Sequence, residues 1–344
     1  MESVFDESLD ILGLDPDKVF RLTHIRIIYP RLKSVLNMIK YCHDISKIQG
    51  TSECLCIHGN TGVGKSEIID TYMEQFPDVI SNHGLVKRVV KILVPEEATK
   101  KSLALQLLAE LGDGNASYGN KTDLTIRCVK LIKDQKVELM FFDEAQHFID
   151  SRYEQPAAVA QWFKNLITAT KVPIVMMGTS ECLKVFKDEQ LRRRFSNMQV
   201  IAPFRWGDTE IDKKEFKTLL TNIDECLPFA TTSKIDSDDM GSRIFYATSG
   251  IIYYVMKLIT YAGILSLKKG NDRITKDILS QAFAEKLWGF QPRIKENPFI
   301  PIKFDIDLAF NSEIPNVPKE NKQDDEVLIR GRRGKRRRRS TGIA

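Results

Sequence analysis

The sequence predicts an α/β fold, a parallel sheet with helices on both faces, followed by a smaller all-helical unit. Three observations carry this. Short apolar runs alternate with stretches of helical period from about residue 53 to 203. One strand-to-helix junction holds a glycine-rich turn, residues 59–66. Beyond residue 207 the strand signals fade and only helical spacing remains. Such alternation implies a parallel sheet buried on both faces, because each crossover helix must lie over it.

The elements follow in order. Residues 1–50 read as helical or mixed: Tyr29-Pro30 punctuates them, and Leu32, Val35, Leu36, Met38 and Ile39 then recur at helical spacing. This N-terminal segment is expected to pack on the core. Residues 53–58 (ECLCIH) form a strand, and 66–76 a helix that stops before Pro77. A strand over 85–94 ends at Pro95, and an amphipathic helix over 101–111 ends at Gly112. Residues 112–120 (GDGNASYGN) have loop chemistry. Then come a helix over 122–135, strand 137–142, helix 157–170, strand 172–178 and a short strand 199–203. Residues 51–206 thus make the αβα core. Helical stretches at 215–222, 242–248, 251–266 and 275–287 make a lid over 207–290. Residues 291–344 hold five prolines, a mixed-charge run and an arginine-rich end, and are expected to be extended or disordered.

Composition narrows the function classes. Of 344 residues, 42% are hydrophobic and 28% charged, which excludes a wholly disordered chain or a collagen-like repeat. The apolar runs fall short of the ~20 residues that cross a bilayer, so no membrane partner is expected. MESVFDESLD has no apolar signal core, and a cytoplasmic location is the expectation. The net charge is +5, but residues 330–344 carry eight cations and no acid, which leaves the other residues at −3. Any grip on nucleic acid in that mildly acidic body needs a local cluster. Six cysteines include no CxxC pair and no zinc-finger spacing, so they read as reduced thiols.

Gly59-Asn60-Thr61-Gly62-Val63-Gly64-Lys65-Ser66 matches GxxxxGK[ST] between a strand and a helix. Its glycines let the backbone turn N–H groups around phosphate oxygens, and the helix start adds partial positive charge. Lys65 would neutralise β- and γ-phosphates, and Ser66 would ligate magnesium. ATP and Mg²⁺ are the implied cofactors, with residues 59–66 and the adjoining Glu67 forming the nucleotide site.

The apolar run Leu139-Met140-Phe141-Phe142 ends in Asp143 and Glu144. Parallel α/β sheets place ligands at this end of their strands. Asp143 would hold magnesium through water, and Glu144 would polarise the attacking water. Consecutive strand residues point to opposite sides, so the two can divide these roles. Gln146 and His147 extend the run to DEAQH, which superficially resembles a DEAH helicase. That reading needs a second recombinase-like domain, and 208–290 is too short for one. His147 reads as a helix-start polar residue.

The buried strand 173–178 ends in Thr179 and Ser180, either of which could hydrogen-bond the attacking water or the γ-phosphate, while Ser180 could equally cap the next helix. Three consecutive arginines, Arg192, Arg193 and Arg194, cannot all share one helix face. If nucleotide lies between subunits, one can reach a neighbour's γ-phosphate as an arginine finger, Arg194 first and Arg193 second. A solvated basic face or a DNA-facing patch is the alternative.

GNTGVGKS, MFFDEAQHF, VPIVMMGTSE and QLRRRF in this order, followed by a helical lid, resemble an AAA+ P-loop ATPase. More narrowly, GTSECLKVFKDEQLRRRF is similar to the TniB/TnsC-type ATPases of bacterial transposons, including CRISPR-associated ones. The resemblance spans about residues 20–290. It implies a regulator rather than the cutting enzyme. Family members assemble with ATP into rings or helical filaments along double-stranded DNA; here, with no zinc finger or basic zipper in the sequence, that binding is expected to be sequence-independent. They link a target selector, often of the TniQ type, to the transposase, and hydrolysis drives disassembly. The selector is either an RNA-guided complex or a sequence-specific protein. The chain departs from many AAA+ lids at Ser249-Gly250-Ile251-Ile252-Tyr253-Tyr254, where a second-sensor arginine is absent. Lys257 lies one turn on, and slow turnover would suit a nucleotide-gated scaffold.

A filament on DNA needs donors along one face. Lys100 and Lys101 begin one helix, Asn120, Lys121 and Thr122 the next, and Arg152 follows the acidic pair. Each is the expected DNA contact, against the alternative of solvated surface charge. The tail 331–340 reads as a partner-docking arm that also touches DNA, or as a flexible basic tail. Two other functions compete. A replication initiator or loader would be expected to carry a winged helix after the lid. A nucleotide-gated switch that oligomerises without DNA would be expected to carry a sensor-repeat domain.

Overall fold

The computed structural model describes residues 13–82, 84–114, 121–150, 156–207, 210–291, 293–294 and 296–311. Five parallel strands form the central sheet: β1 Leu55–Gly59, β4 Val89–Leu93, β5 Leu139–Asp143, β6 Ile174–Gly178 and β7 Asn197–Ile201, in the spatial order β4-β5-β6-β1-β7. β1 lies between β6 and β7, so the glycine-rich turn leaves the sheet next to the end of β6, with the end of β5 one strand further on.

The alternation of strand side chains divides the core in two. Leu55, Ile57, Leu139, Phe141, Val175 and Met177 face one way, onto α2 (Pro30–Gln49), α3 (Lys65–Met73) and lid residues. Cys54, Cys56, Met140, Phe142, Ile174 and Met176 face the other way, onto α4 (Lys100–Glu110), α5 (Lys121–Asp134) and α7 (Pro156–Thr170). The sheet is therefore covered on both faces, as the strand–helix alternation predicts. All six cysteines are free; Cys56 and Cys182 have sulfurs 3.9 Å apart.

The lid comprises α9 Glu210–Cys226, α10 Asp238–Thr248, α11 Ile252–Lys268 and α12 Lys276–Lys286. Two local expectations are corrected. The strand read over 85–94 is two strands: β3 (Gly84–Val86) pairs antiparallel with β2 (Val79–Ser81) as a hairpin, and Lys87-Arg88 breaks the run before β4. Exposed Ile80 and Val79 on that hairpin show why an apolar run there signals no core strand. The N-terminal segment lies on the sheet through α2 and on the lid as well. Leu22 of α1 (Pro16–Thr23) presses on Gly263 of α11, where a Cβ would lie 2.5 Å from its Cδ2.

The second correction concerns the described residues between 293 and 311, expected to be extended or disordered, which instead pack on the lid and end in a helix. Ile294 and Phe299 are buried, and α13 (Ile306–Asn311) lies against α10 through Tyr246 and Phe310. Prolines leave this strap without a regular backbone ladder. Arg243 of α10 supplies the missing donors, to the carbonyls of Pro298, Pro301 and Ile302. The arginine-rich tail lies outside the described residues.

Candidate functional site

The turn after β1 puts Gly62 at φ 82° and Gly64 at φ 90°, backbone conformations that a side chain would oppose. Gly59 is needed for a different reason: a Cβ there would lie 2.0 Å from the Ile201 carbonyl oxygen at the end of β7. Lys65 opens α3 and is buried; its ammonium donates to the carbonyls of Gly59 and Asn60, each at 2.8 Å. That leaves one of its three donors for an incoming group. Burial pulls the Lys65 pKa down, and Glu144 and Asp143 pull it back up.

Ser66 Oγ donates to Asp143 Oδ2 at 2.8 Å, which joins the start of α3 to the end of β5. Asp143 is 2% exposed, and its second oxygen accepts from the Glu144 N–H at 3.0 Å. A hydroxyl beside a carboxylate is a hard oxygen donor set that fits Mg²⁺, with remaining ligands left to phosphate and water. Among the described residues no group of three or more His, Cys, Asp or Glu side chains has metal-holding geometry. Glu144 stands at φ 58°, so the chain turns sharply after the strand and aims the two acids differently. Its carboxylate accepts a hydrogen bond from Gln146.

Thr61, Gly62, Gly64, Lys65, Ser66, Glu67, Glu144 and Thr179 line one cavity of about 380 Å³. Of the two hydroxyl residues at the end of β6, Thr179 lines it; Ser180 is exposed and begins a 3₁₀ turn, Ser180–Lys187. Thr179 precedes that turn without a side-chain capping bond. Glu67 is paired with Arg26, which also bonds Glu74.

Sequence reasoning missed the far wall of this cavity. Ile25, Arg26, Ile27 and Tyr29 come from the link between α1 and α2, and Ile252, Tyr253 and Met256 from the first turns of α11. Ile25, Ile27 and Tyr29 alternate for only five residues before Pro30 and pair with no strand, which is why they gave no signal. The lid touches the loop directly: the Tyr253 N–H donates to the Gly62 carbonyl at 3.0 Å. Lys257 is not at the cavity; its ammonium sits 4.2 Å over the Phe290 ring.

The arginines lie elsewhere within the chain. Arg193 and Arg194, on α8 (Glu189–Arg194), line a separate groove with Gln161, Lys164 and Thr168. Arg194 donates to Thr168 Oγ1 at 3.0 Å, Arg193 faces Glu189 at 3.9 Å, and Arg192 is exposed.

The expected DNA contacts divide. Lys100 begins α4 and Lys101 is exposed beside it. The α4 start is already capped, since Thr99 accepts from the Ser102 N–H and Ser102 accepts from the Thr99 N–H. Lys101 would therefore act through its charge more than through free N–H groups. Lys121 and Thr122 begin α5. Asn120 and Arg152 lie outside the described residues.

Residues 20–206 match the family model described as bacterial TniB protein. No curated protein matches the chain. The fold is similar to Cdc6p from Pyrobaculum aerophilum, at a TM-score of 0.58, 14% identity, and coverage of 80% of this chain and 72% of that one. It is also similar to the Aeropyrum pernix ORC2 protein in its ADPNP–ADP complexes, at 0.56, 12%, 77% and 71%. A third likeness is to A. pernix ORC1 in complex with DNA, at 0.55, 12%, 78% and 69%. At these identities the likeness concerns the fold, that of an AAA+ P-loop ATPase with a helical lid.

Proposed function

The chain belongs to the bacterial TniB family, and from that premise we propose that it is an ATP-hydrolysing regulator of DNA transposition. On this reading it assembles with ATP along double-stranded DNA as a ring or helical filament, and links a TniQ-type target selector to the transposase. The observation that carries the ATPase half is the convergence of Lys65, Ser66, Asp143, Glu144 and Thr179 on the glycine-rich turn.

Each residue has a task in that reading. The loop N–H groups and Lys65 hold the phosphates. Ser66 and Asp143 would hold Mg²⁺, which when bound would neutralise charge on the β- and γ-phosphates. Glu144 takes the proton from a water as its oxygen bonds the γ-phosphorus. The bond from that phosphorus to the β–γ bridging oxygen breaks, and the electron pair leaves with ADP. Thr179 orients the water or the γ-phosphate. No arginine enters the cavity from α11, whose first turns bring Ile252, Tyr253 and Met256 instead. Arg26 does line the cavity but is held by Glu67 and Glu74. An arginine for transition-state charge would then come from a neighbour's Arg194 or Arg193, and turnover would be slow in an isolated chain. Lys100, Lys101, Lys121 and Thr122 supply the DNA-facing side. A loader would need a winged helix after α12; among the described residues that follow, the strap holds one six-residue α-helix and no strand.

The test is negative-stain microscopy on linear duplex DNA with a slowly hydrolysed ATP analogue, ADP or no nucleotide. Rings or filaments are expected only with DNA and the analogue, and to vanish in Lys65→Ala. Assembly that ignores DNA would move the reading to a nucleotide-gated switch. Assembly that survives Lys65→Ala would detach it from the phosphate loop.

A further inference from the structure

We propose that Gln146 is a positioning residue for Glu144, tying its carboxylate to the end of β6 beside Thr179. The inference rests on the reading of Glu144 as the group that activates the attacking water. Gln146 spends both ends of one planar amide: Nε2 donates to Glu144 Oε2, and Oε1 accepts from the Thr179 N–H at 3.0 Å. The orientation of the amide is dictated rather than chosen. A carboxylate only accepts and a backbone N–H only donates, so the flipped amide would lose both bonds.

The surrounding backbone is built to admit this link. β5 and β6 are neighbours, with Phe142 opposite Met176, and the Ala145 N–H continues the pairing to the Met177 carbonyl at 2.8 Å. Gln146 then folds back over Gly178. A Cβ on Gly178 would lie 2.7 Å from Gln146 Oε1 and 3.1 Å from the backbone nitrogens of Ala145 and Gln146. Gly178 thus clears the space that the amide fills.

The link has a directional consequence. Glu144 stands on a left-handed turn with a long side chain, and Gln146 is the group that holds its carboxylate. Thr179 stands where the γ-phosphate or attacking water is placed in the proposed reaction. A shift of the Thr179 backbone moves the amide, and the amide moves the carboxylate. Gln146 therefore transmits the state of the β6 end to the base, without touching substrate itself.

The test is steady-state ATP hydrolysis on duplex DNA, with binding of a fluorescent ATP analogue measured in parallel. Gln146→Ala is expected to lower kcat by about 10- to 100-fold, the effect of misplacing a reacting group by an ångström. KM, analogue affinity and melting temperature should stay close to wild type. Gln146→Glu keeps an acceptor for the Thr179 N–H but offers no donor to Glu144, so it should fail as badly. A Gln146→Ala kcat within about twofold of wild type would overturn the proposal. So would recovery by Gln146→Glu, or a loss of kcat matched by lost binding and melting temperature. Failure of the site reading shows separately: wild type would not hydrolyse ATP, or Glu144→Gln would hydrolyse it undiminished, and either result removes both.

Discussion

Arg243→Met should release the strap from the lid. Arg243 is completely buried. Its Nη1 donates to the carbonyls of Pro298 at 2.5 Å and Pro301 at 2.9 Å, and Nη2 to Ile302 at 3.3 Å. Nε donates to Asp239 at 2.9 Å, and the guanidinium lies 5.1 Å over the Phe304 ring. Methionine keeps much of the apolar stem and removes every donor. Asp239 is 55% exposed and regains water at small cost. The carbonyl of buried Pro298 does not, whereas Pro301 is half-buried and Ile302 exposed, so their carbonyls regain water in part or in full. A carbonyl that stayed buried and unpaired would cost about 1–3 kcal/mol. The strap can escape that cost by leaving, so the loss does not exceed that range. At roughly 2–4 °C per kcal/mol in larger domains, melting should fall by about 2–12 °C. Limited proteolysis should open new sites between residues 293 and 311. Arg243→Lys should recover less than half of the loss, since an ammonium cannot fork to three carbonyls. A melting temperature within about 1 °C of wild type, with the same cleavage pattern, would refute the reasoning.

Three more outcomes follow from other parts of the molecule. Burial pushes the Glu138 carboxyl up, but bonds from Arg88 and Lys47 outweigh it and hold its pKa at about 2. Its contribution is complete above the ordinary 4.5 and fades as pH falls toward 2. Discounted for the water that reaches Glu138, this is about 1 kcal/mol, and Glu138→Gln should flatten that part of a stability–pH curve followed by urea unfolding. Burial, then Lys47, lowers the His43 pKa below 6.5, so the unfolded chain takes up this proton first and stability should already decline below that pH, unless His43 is replaced. Gly62→Ala would force a Cβ at φ 82° to within 3.0 Å of Ile251 Cγ2 and 3.2 Å of Tyr253 Cβ. It should weaken ATP-analogue binding at least about tenfold with helical circular dichroism unchanged, and unchanged affinity would show that the loop tolerates the strain.

The sheet and the phosphate loop were legible because their signals are local. An apolar strand, a glycine turn and a helix start lie within 15 residues, and β5 announces its own end with Asp143-Glu144. What escaped depends on contacts across long separations. The cavity wall at 25–29 is defined only by what α11 brings to it. Arg243 reads as one charge on an amphipathic helix, and nothing in sequence says that prolines 55 or more residues later will need its donors. Gln146 was seen as a letter in DEAQH; its role lies in an N–H from the neighbouring strand. His43 gave no signal either, being a single residue on α2 that meets Tyr72 and Glu138 only in the folded core.

These long-range contacts share a direction. Tyr253 bonds the phosphate loop through Gly62, the Gly250 carbonyl accepts from the Phe204 N–H at 2.9 Å, and Thr260 reaches the Leu22 carbonyl at 3.3 Å. Arg31 of α2 ties to Glu215 of α9 and to the Ala202 carbonyl. The start of the lid is thereby joined to the loop, to the segment after β7 and to the N-terminal helices at once. Single hydrogen bonds of this kind contribute about 0.5–1.5 kcal/mol each, so no one of them locks the lid. Together they make it costly to move α11 without moving the link at 23–29. A ligand filling the cavity would touch both walls and the loop, and its binding energy would act on that whole set. Because Arg243 fastens the strap to α10, the strap would travel with the lid, and so would the point from which residues 312–344 depart. A change at the phosphate loop thus has a physical route to α13 that does not pass through the sheet.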